Sequence, residues 1–220
     1  MKKVFVTLAL IGAVMAGNAQ ITKGKFFING SLGFTSTSSS RETAAGKNDQ
    51  PGHTMLDFSP KAGYYITDNI AVGLGLVYTM ETDNKLNGSN TAPGVTTERS
   101  TATLNIAPYL RYSMPMTEKF GFFMDLLVPI GSVTRSEKVT SGTAPSDIKG
   151  SSFGVSLTPG VQWFVKDNLS LEATLGGLKY SSSVVDASSS GATDKTTTSS
   201  FGLTFGTAAS FGISFYFGGK

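Results

Sequence analysis

Cysteine is absent from this chain and charge is scarce, since Asp, Glu, Lys and Arg together make up 15% of its 220 residues. Without cysteine, disulfide bonds, thiol catalysis and cysteine-ligated metals are excluded. One histidine, His53, is the only imidazole for acid–base chemistry. The formal charge of +3 comes partly from Lys2 and Lys3 and provides no basic surface for nucleic acid. Thiol enzymes and nucleic-acid-binding proteins are therefore not indicated.

Long apolar runs are also lacking, except at the N-terminus. Lys2-Lys3 precede an apolar segment from Val4 to Ala16, and Gly17-Asn18-Ala19 supplies small residues after it. This order predicts a secretory signal peptide over residues 1–19 and a mature chain over 20–220. The apolar segment is shorter than the roughly 20 residues of a spanning helix, although a retained anchor is the alternative. Membrane insertion of the mature chain would therefore have to use strands.

Apolar side chains recur at every second position along most of the mature chain. Successive residues of a strand point to opposite faces, so each run predicts a strand with one apolar face. The positions between are mainly Gly, Ser, Thr, Asn and charged residues, and no stretch has sustained helical spacing. The chain is therefore predicted to be all-β, with eight runs whose apolar positions begin at Phe26, Leu56, Ile70, Leu104, Phe120, Phe153, Leu169 and Phe201.

Short and long connections alternate between these runs. The short ones are rich in turn-forming residues. The long ones are dense in Ser, Thr, Gly, Asn and Asp. This alternation is typical of bacterial outer-membrane barrels, which have tight periplasmic turns and longer outside loops. The short connections lie at 67–69, 115–118 and 166–168, and the long ones at 37–53, 83–98, 136–149 and 184–198.

A pattern of an apolar residue, a proline and an aromatic residue occurs in three strands, each just before a short turn. The aromatic residues then fall at one height of the predicted sheet, where an interfacial girdle requires amphipathic rings. Core aromatics of a soluble β-sandwich are the alternative. The predicted girdle consists of Tyr64, Tyr112, Trp163 and, from the final strand, Phe217.

The prolines of this pattern conflict with a closed sheet. Pro60, Pro108 and Pro159 cannot donate to a ladder, and a closed barrel has no edge where the missing donor is harmless. We therefore expect β-bulges at these three positions.

The apolar face is predicted to contact lipid, although soluble sandwiches and lipocalin-like barrels use the same period. Here the polar face is rich in small residues, which suit the filled interior of an eight-stranded barrel. The apolar face would be a large exposed patch in water. Closure also satisfies every backbone group in hydrocarbon. We therefore predict an eight-stranded antiparallel up-and-down transmembrane β-barrel. Its inward charges are predicted to form a structural polar network of Asp57, Lys61, Glu81, Arg111, Asp125 and Glu172.

Taken together, the chain resembles the small eight-stranded outer-membrane β-barrel family, which has OmpA-like and OmpX-like members. The resemblance covers 20–220 and rests on the signal peptide, the connections, the girdle aromatics and the aromatic last strand. It implies the outer membrane of a Gram-negative bacterium, with outer-membrane lipid and lipopolysaccharide as surroundings and the barrel-assembly machinery as a partner. Members are said to end in an aromatic residue, whereas Gly218-Gly219-Lys220 follow Phe217 here.

Three functions follow as hypotheses: a non-enzymatic structural or surface-interaction barrel, a narrow porin-like channel, and a lipid A-modifying hydrolase. A side-chain-filled interior favours the first over the channel. The hydrolase would have to use His53, which is predicted to be a solvated loop residue. Since phosphate loops, metal-ligand clusters and nucleophile motifs are missing, we predict no catalytic residue, no cofactor and no metal, and the extracellular ligand is not indicated.

Overall fold

Antiparallel strands make up nearly all of the described chain. The computed structural model describes residues 21–38, 40–43, 46–49, 52–86, 97–139, 146–186 and 195–218, so the predicted signal peptide lies outside the described residues. Within these ranges no helix is long and apolar enough to cross a membrane. The strands are β1 (Phe26–Thr37), β2 (Ser40–Thr43), β3 (Gly46–Asp49), β4 (Gly52–Tyr65), β5 (Ile70–Leu86), β6 (Thr97–Pro115), β7 (Phe120–Leu127), β8 (Ile130–Val139), β9 (Ser146–Lys166), β10 (Leu169–Asp186) and β11 (Lys195–Phe217).

These strands close into a ring with eight wall positions. Each wall strand pairs with the next one along the chain, and β11 pairs back with β1. Strands β7 and β8 share one position, because both pair with β6 and with β9. The break between them at Val128 and Pro129 leaves the register with β6 unchanged, from Tyr109–Leu127 to Ile106–Ile130. The predicted eight-stranded antiparallel barrel is confirmed.

The two faces of the wall alternate as the sequence predicts. On β7, the outward Phe120, Phe122 and Met124 are exposed, whereas the inward Phe123 and Asp125 are buried. Leu74 of β5 is likewise outward and exposed. Apolar side chains therefore cover the outside of the barrel, as a lipid-facing wall requires.

The connections are short at one end of the barrel, as predicted. Residues 66–69 join β4 to β5, 116–119 join β6 to β7, and 167–168 join β9 to β10. At the other end the strands extend well into the segments predicted as loops, and β2 pairs with β3 as a separate hairpin inside the first connection. The loop boundaries were wrong there because these strand ends are polar on both faces, so no apolar alternation marks them.

Two of the three expected bulges are also wrong. Pro60 lies opposite Gly30, and Pro108 lies opposite Leu74, with no register shift at either proline. Only beside Pro159 does the ladder shift, between β9 and β10. A proline removes a single N–H donor, and intact rungs on both sides can hold the register across one missing bond.

Candidate functional site: the barrel interior

A fully buried arginine holds two carboxylates in the lumen. Arg111 of β6 donates from Nε and Nη2 to the two carboxylate oxygens of Asp125 on β7, at 2.7 and 2.9 Å. Its Nη1 and Nη2 donate to Glu172 on β10, also at 2.7 and 2.9 Å. Such bidentate, charge-assisted bonds are among the strongest in proteins. Because the wall positions of β7/β8 and β9 lie between β6 and β10, the bonds to Glu172 cross the lumen.

A second cation and two neutral groups complete this arrangement. Lys61 Nζ lies 3.1 Å from Oδ2 of Asp125. Asn29 Nδ2 donates to Oε2 of Glu172 at 3.0 Å, and the Ser214 hydroxyl donates to Oε1 of the same carboxylate. Two positive and two negative side chains thus pair in a site sealed from water, which offsets their desolvation. We call Lys61, Arg111, Asp125 and Glu172 the charge cluster.

The charge cluster contains four of the six residues that the sequence placed in an interior network. The other two, Asp57 and Glu81, lie nearer the loop end. Asp57 accepts a hydrogen bond from the Thr79 hydroxyl at 2.8 Å, and Glu81 lines a larger cavity. Alternation fixes the face that a charge occupies, whereas the strand register fixes its height, and the register is not readable from one strand alone.

Aromatic rings fill the lumen between the charge cluster and the turns. The Phe27 ring lies 5.1 Å from the guanidinium carbon of Arg111, and the Phe123 ring lies 4.2 Å from it. Phe27 also packs on Tyr65, Tyr109 and Tyr216, with ring centroids 5.4 to 6.2 Å apart. We call the buried set Phe27, Tyr65, Tyr109, Phe164 and Tyr216, with Ile21 and Ala71 packed among them, the aromatic layer.

Sequence reasoning missed the aromatic layer because it treated the inward positions as small or polar. A signal was nevertheless present in pairs of adjacent aromatic residues: Phe26-Phe27, Tyr64-Tyr65 and Trp163-Phe164. Neighbouring residues of a strand face opposite ways, so one ring of each pair must enter the lumen. In the structure the first ring of each pair faces outward and the second is buried.

Inward glycines make room for these rings. A Cβ atom on Gly63 would approach Phe27 Cε1 to 2.6 Å and would also clash with the Tyr109 hydroxyl. A Cβ on Gly73 would approach Tyr109 Cε1 to 2.6 Å. On the opposite side, a Cβ on Gly160 would approach Cε1 of Phe123 to 2.7 Å. Ring and bare backbone are therefore complementary, as in close-packed protein interiors.

The four predicted girdle residues all lie on the outward face near the turn end. Tyr112, Trp163 and Phe217 are exposed, and Tyr64 is half-buried under Phe26, with ring centroids 4.7 Å apart. Each of the three precedes a turn or the chain end, which is the position that an interfacial belt would need.

The loop-end half of the lumen is open and polar. A cavity of about 740 Å³, here called the mouth cavity, is lined by hydroxyl and charged side chains, among them Glu81, Arg135 and Lys179. A smaller cavity of about 160 Å³ lies between it and the charge cluster, and both share Ser31 and Ser156 as lining residues. The lumen is thus polar and accessible from the loop end down to the charge cluster.

A row of alternating charges crosses four strands at the top of this cavity. His53 pairs in register with Asp83, Asp83 with Arg99, and Arg99 with Glu137. His53 Nδ1 lies 2.8 Å from the Asp83 carboxylate, and Arg99 Nε donates to Glu137 at 2.8 Å. His53 was expected in a loop, but β4 begins at Gly52, so the ring belongs to a strand and has a carboxylate partner. Among the described residues no group of three or more His, Asp or Glu side chains is placed to hold a metal ion.

Comparison with known proteins agrees with this architecture. A family model for the outer membrane protein β-barrel domain matches residues 5–208. The chain belongs to this family. It is therefore an integral barrel of the bacterial outer membrane, and the short turns and long connections have the arrangement that is usual in that membrane.

Solved structures similar to this family member are also small outer-membrane proteins. Neisserial surface protein A is 16% identical, with a TM-score of 0.42, covering 88% of this chain and 99% of its own. Ail, the attachment invasion locus protein of Yersinia pestis, is 12% identical, with a TM-score of 0.34 and coverages of 89% and 99%. OprG of Pseudomonas aeruginosa is 14% identical, with a TM-score of 0.39 and coverages of 91% and 99%. No curated protein matches the sequence.

Proposed function

We propose that this protein is a non-enzymatic outer-membrane barrel with a closed lumen, and that its role is structural or one of surface interaction. The observation that carries the proposal is the fully buried Arg111, which joins Asp125 and Glu172 across the lumen. An ordered guanidinium with carboxylates on two sides leaves no aqueous path at that height. Interaction would then take place at the loop end, where polar connections project and binding residues normally lie.

The aromatic layer supports the same conclusion, because it forms a second barrier below the first. Water and ions avoid a layer of packed rings, since ion transfer into apolar surroundings is strongly unfavourable. Two barriers in series argue against the alternative of a narrow channel. The hydrolase alternative depends on His53, whose ring lies in the charge row against Asp83.

Planar-bilayer conductance tests the closed lumen. We expect purified wild-type barrel to give no conductance steps. We expect the double variant Phe27→Ala/Arg111→Ala to give ion-conducting events, since it opens both barriers, and each single variant to give far fewer because the other barrier remains. The control is Phe26→Ala/Arg99→Ala, which removes the outward neighbour of Phe27 and an ion-paired arginine in the mouth, and it should stay silent.

Stepwise conductance of the wild-type barrel at a rate comparable with that of the double variant would contradict the proposal. The remaining expectations concern its surroundings and biogenesis. We expect the apolar band to contact outer-membrane lipid and lipopolysaccharide, and the barrel-assembly machinery to insert the chain after export by a Sec-type signal.

A further inference from the structure

The wall is only partly paired at one boundary, between β1 and β11. Their ladder runs from Phe26 and Phe217 to Ser31 and Gly212, and within the described part of the chain it ends there. Beyond that point, Leu32–Thr37 still pairs with β4 on its other side, and β11 still pairs with β10. The two strands that should close the barrel therefore separate in its loop-end half. We call this unpaired boundary the seam.

The exposure of outward side chains marks the seam independently. Five large apolar residues have exposed fractions of 69 to 74%, whereas the other exposed large apolar side chains of the described wall lie between 37 and 58%. All five belong to β1 or β11 beyond the last ladder pair, where no neighbouring strand covers one of their flanks. They are Leu32, Phe34, Phe201, Leu203 and Phe211.

The lower part of the seam lies within the apolar band of the barrel. Phe26 to Phe34 covers nine residues of β1, and a tilted strand needs about 9–11 residues to cross the hydrocarbon. Unpaired backbone groups at that depth are costly unless they border protein or a water-filled cavity. Such a cavity lies directly behind the seam.

The mouth cavity is lined by both edges of the seam. Ser31 and Gly33 contribute from β1, and Ser200, Thr204 and Ser210 contribute from β11. An apolar, lipid-facing rim therefore borders a polar cavity that is closed below by the charge cluster. Its volume of about 740 Å³ is within the usual range for small-molecule sites, roughly 300–1,000 Å³.

We propose that the seam is a lateral portal for a single-chain amphiphile. The headgroup enters the mouth cavity, and the hydrocarbon chain stays in the bilayer between Leu32 and Phe211. The cavity offers hydrogen bonds to an oxygen-rich headgroup, and Arg135, whose buried Nε has no hydrogen-bond partner, supplies one donor. A portal of this kind leads to a binding site rather than a passage, so it goes beyond the closed-lumen function and does not require conduction.

Closing the seam with a disulfide tests the portal. The chain contains no cysteine, so Leu32→Cys/Phe211→Cys introduces the only two thiols, at outward positions one step beyond the last ladder pair. The protein is placed in phosphatidylcholine vesicles that contain a trace of lysophosphatidylcholine with a photoreactive headgroup. Labelled residues are then mapped by mass spectrometry, with and without oxidation.

We expect headgroup labelling of cavity residues on β10, such as Lys179, in the wild-type barrel and in the reduced variant. Oxidation should lower this labelling several-fold, and a reductant should restore it. The matched control Ile28→Cys/Phe215→Cys bridges two outward residues that are already ladder partners, so its labelling should not change on oxidation. If the disulfide forms poorly, a short bis-maleimide bridge between the same thiols replaces it.

Three results would overturn the portal. The first is cavity labelling that is unchanged in the bridged variant, which would mean entry from the loop end. The second is labelling confined to the outer surface in the wild-type barrel. The third is a disulfide that joins two molecules through position 211, which would assign the seam to a second copy of the chain. None of these results depends on conductance, so the closed-lumen proposal is judged separately.

Discussion

At position 63 the barrel has no side chain because the rings of two other strands occupy the space. Phe27 and Tyr109 both approach the bare backbone of Gly63. This glycine has no left-handed backbone angle, unlike Gly176, whose φ is 93°. Its role is therefore steric, and the packing of the aromatic layer depends on it.

Gly63→Ala tests this steric role. We expect a loss of about 1–3 kcal/mol in the free energy of unfolding, because overpacking a filled interior forces rings and backbone apart. Urea unfolding in lipid vesicles, followed by Trp163 fluorescence, measures the change. Gly30→Ala is the matched control, since a Cβ there meets nothing within 4 Å. Equal losses in the two variants would contradict the steric explanation.

Two arginines on the same strand should differ sharply in their contribution to stability. Arg111 is fully buried between two carboxylates, whereas the Arg99–Glu137 pair is 40% and 34% exposed. Removing Arg111 leaves buried carboxylates without their partner, and breaking such a buried pair costs about 3–5 kcal/mol. Removing Arg99 should cost at most about 1 kcal/mol, as for other exposed pairs.

The same unfolding measurement compares Arg111→Ala with Arg99→Ala. Arg111→Ala/Asp125→Ala/Glu172→Ala removes the charges together and should recover part of the loss. Similar losses for the two single variants would show that the charge cluster is not a buried structural unit.

At the level of elements, two turns repeat one hydrogen-bond arrangement. The Thr67 hydroxyl accepts from the backbone N–H of Asn69 and Ile70, at 3.3 and 2.9 Å. The Thr117 hydroxyl accepts from Lys119 and Phe120 at 3.3 and 3.0 Å. Hydroxyl groups of this kind take the place of backbone acceptors in tight turns. Threonine at the start of each turn thus fixes where the next strand begins.

Thr117→Ala should therefore weaken the β6–β7 hairpin. We expect a loss of about 0.5–1.5 kcal/mol, the usual net value of an intramolecular hydrogen bond. Thr117→Ser keeps the hydroxyl and should retain most of the stability, and hydrogen exchange at Phe120 reports the local effect. An unchanged exchange rate in Thr117→Ala would contradict this role of the hydroxyl.

The elements also show where sequence reasoning succeeds and where it fails. Strand faces were predicted well, because alternation is a local property and Leu74 or Phe122 has the same face whatever its neighbours are. Strand ends at the loop end were not, since residues such as His53 and Asp83 lie in strands that are polar on both sides. The charge cluster was predicted as to its members on the inward face, but not as to which of them meet. Contact depends on register between distant strands, such as β6 and β10.

For the whole molecule, closure of the wall predicts resistance to unfolding by detergent alone. We expect the purified protein to migrate differently on a detergent gel before and after boiling, because a closed barrel keeps its hydrogen-bonded wall until it is heated. The mass of the mature protein on the same preparation tests the export signal, with Gln20 expected as the first residue. Identical migration in both lanes, or a mass that includes residues 1–19, would contradict the respective expectation.

The sequence by itself determined the strand type, the outward apolar face and the assignment to an outer-membrane barrel, because these depend on composition and on a period of two residues. Only the tertiary structure decided that Arg111 bridges Asp125 and Glu172, that five rings form the aromatic layer, and that β1 and β11 separate beyond Ser31. Each of these features joins residues far apart in the chain. Their meeting is set by strand register and closure of the ring, which no local pattern specifies.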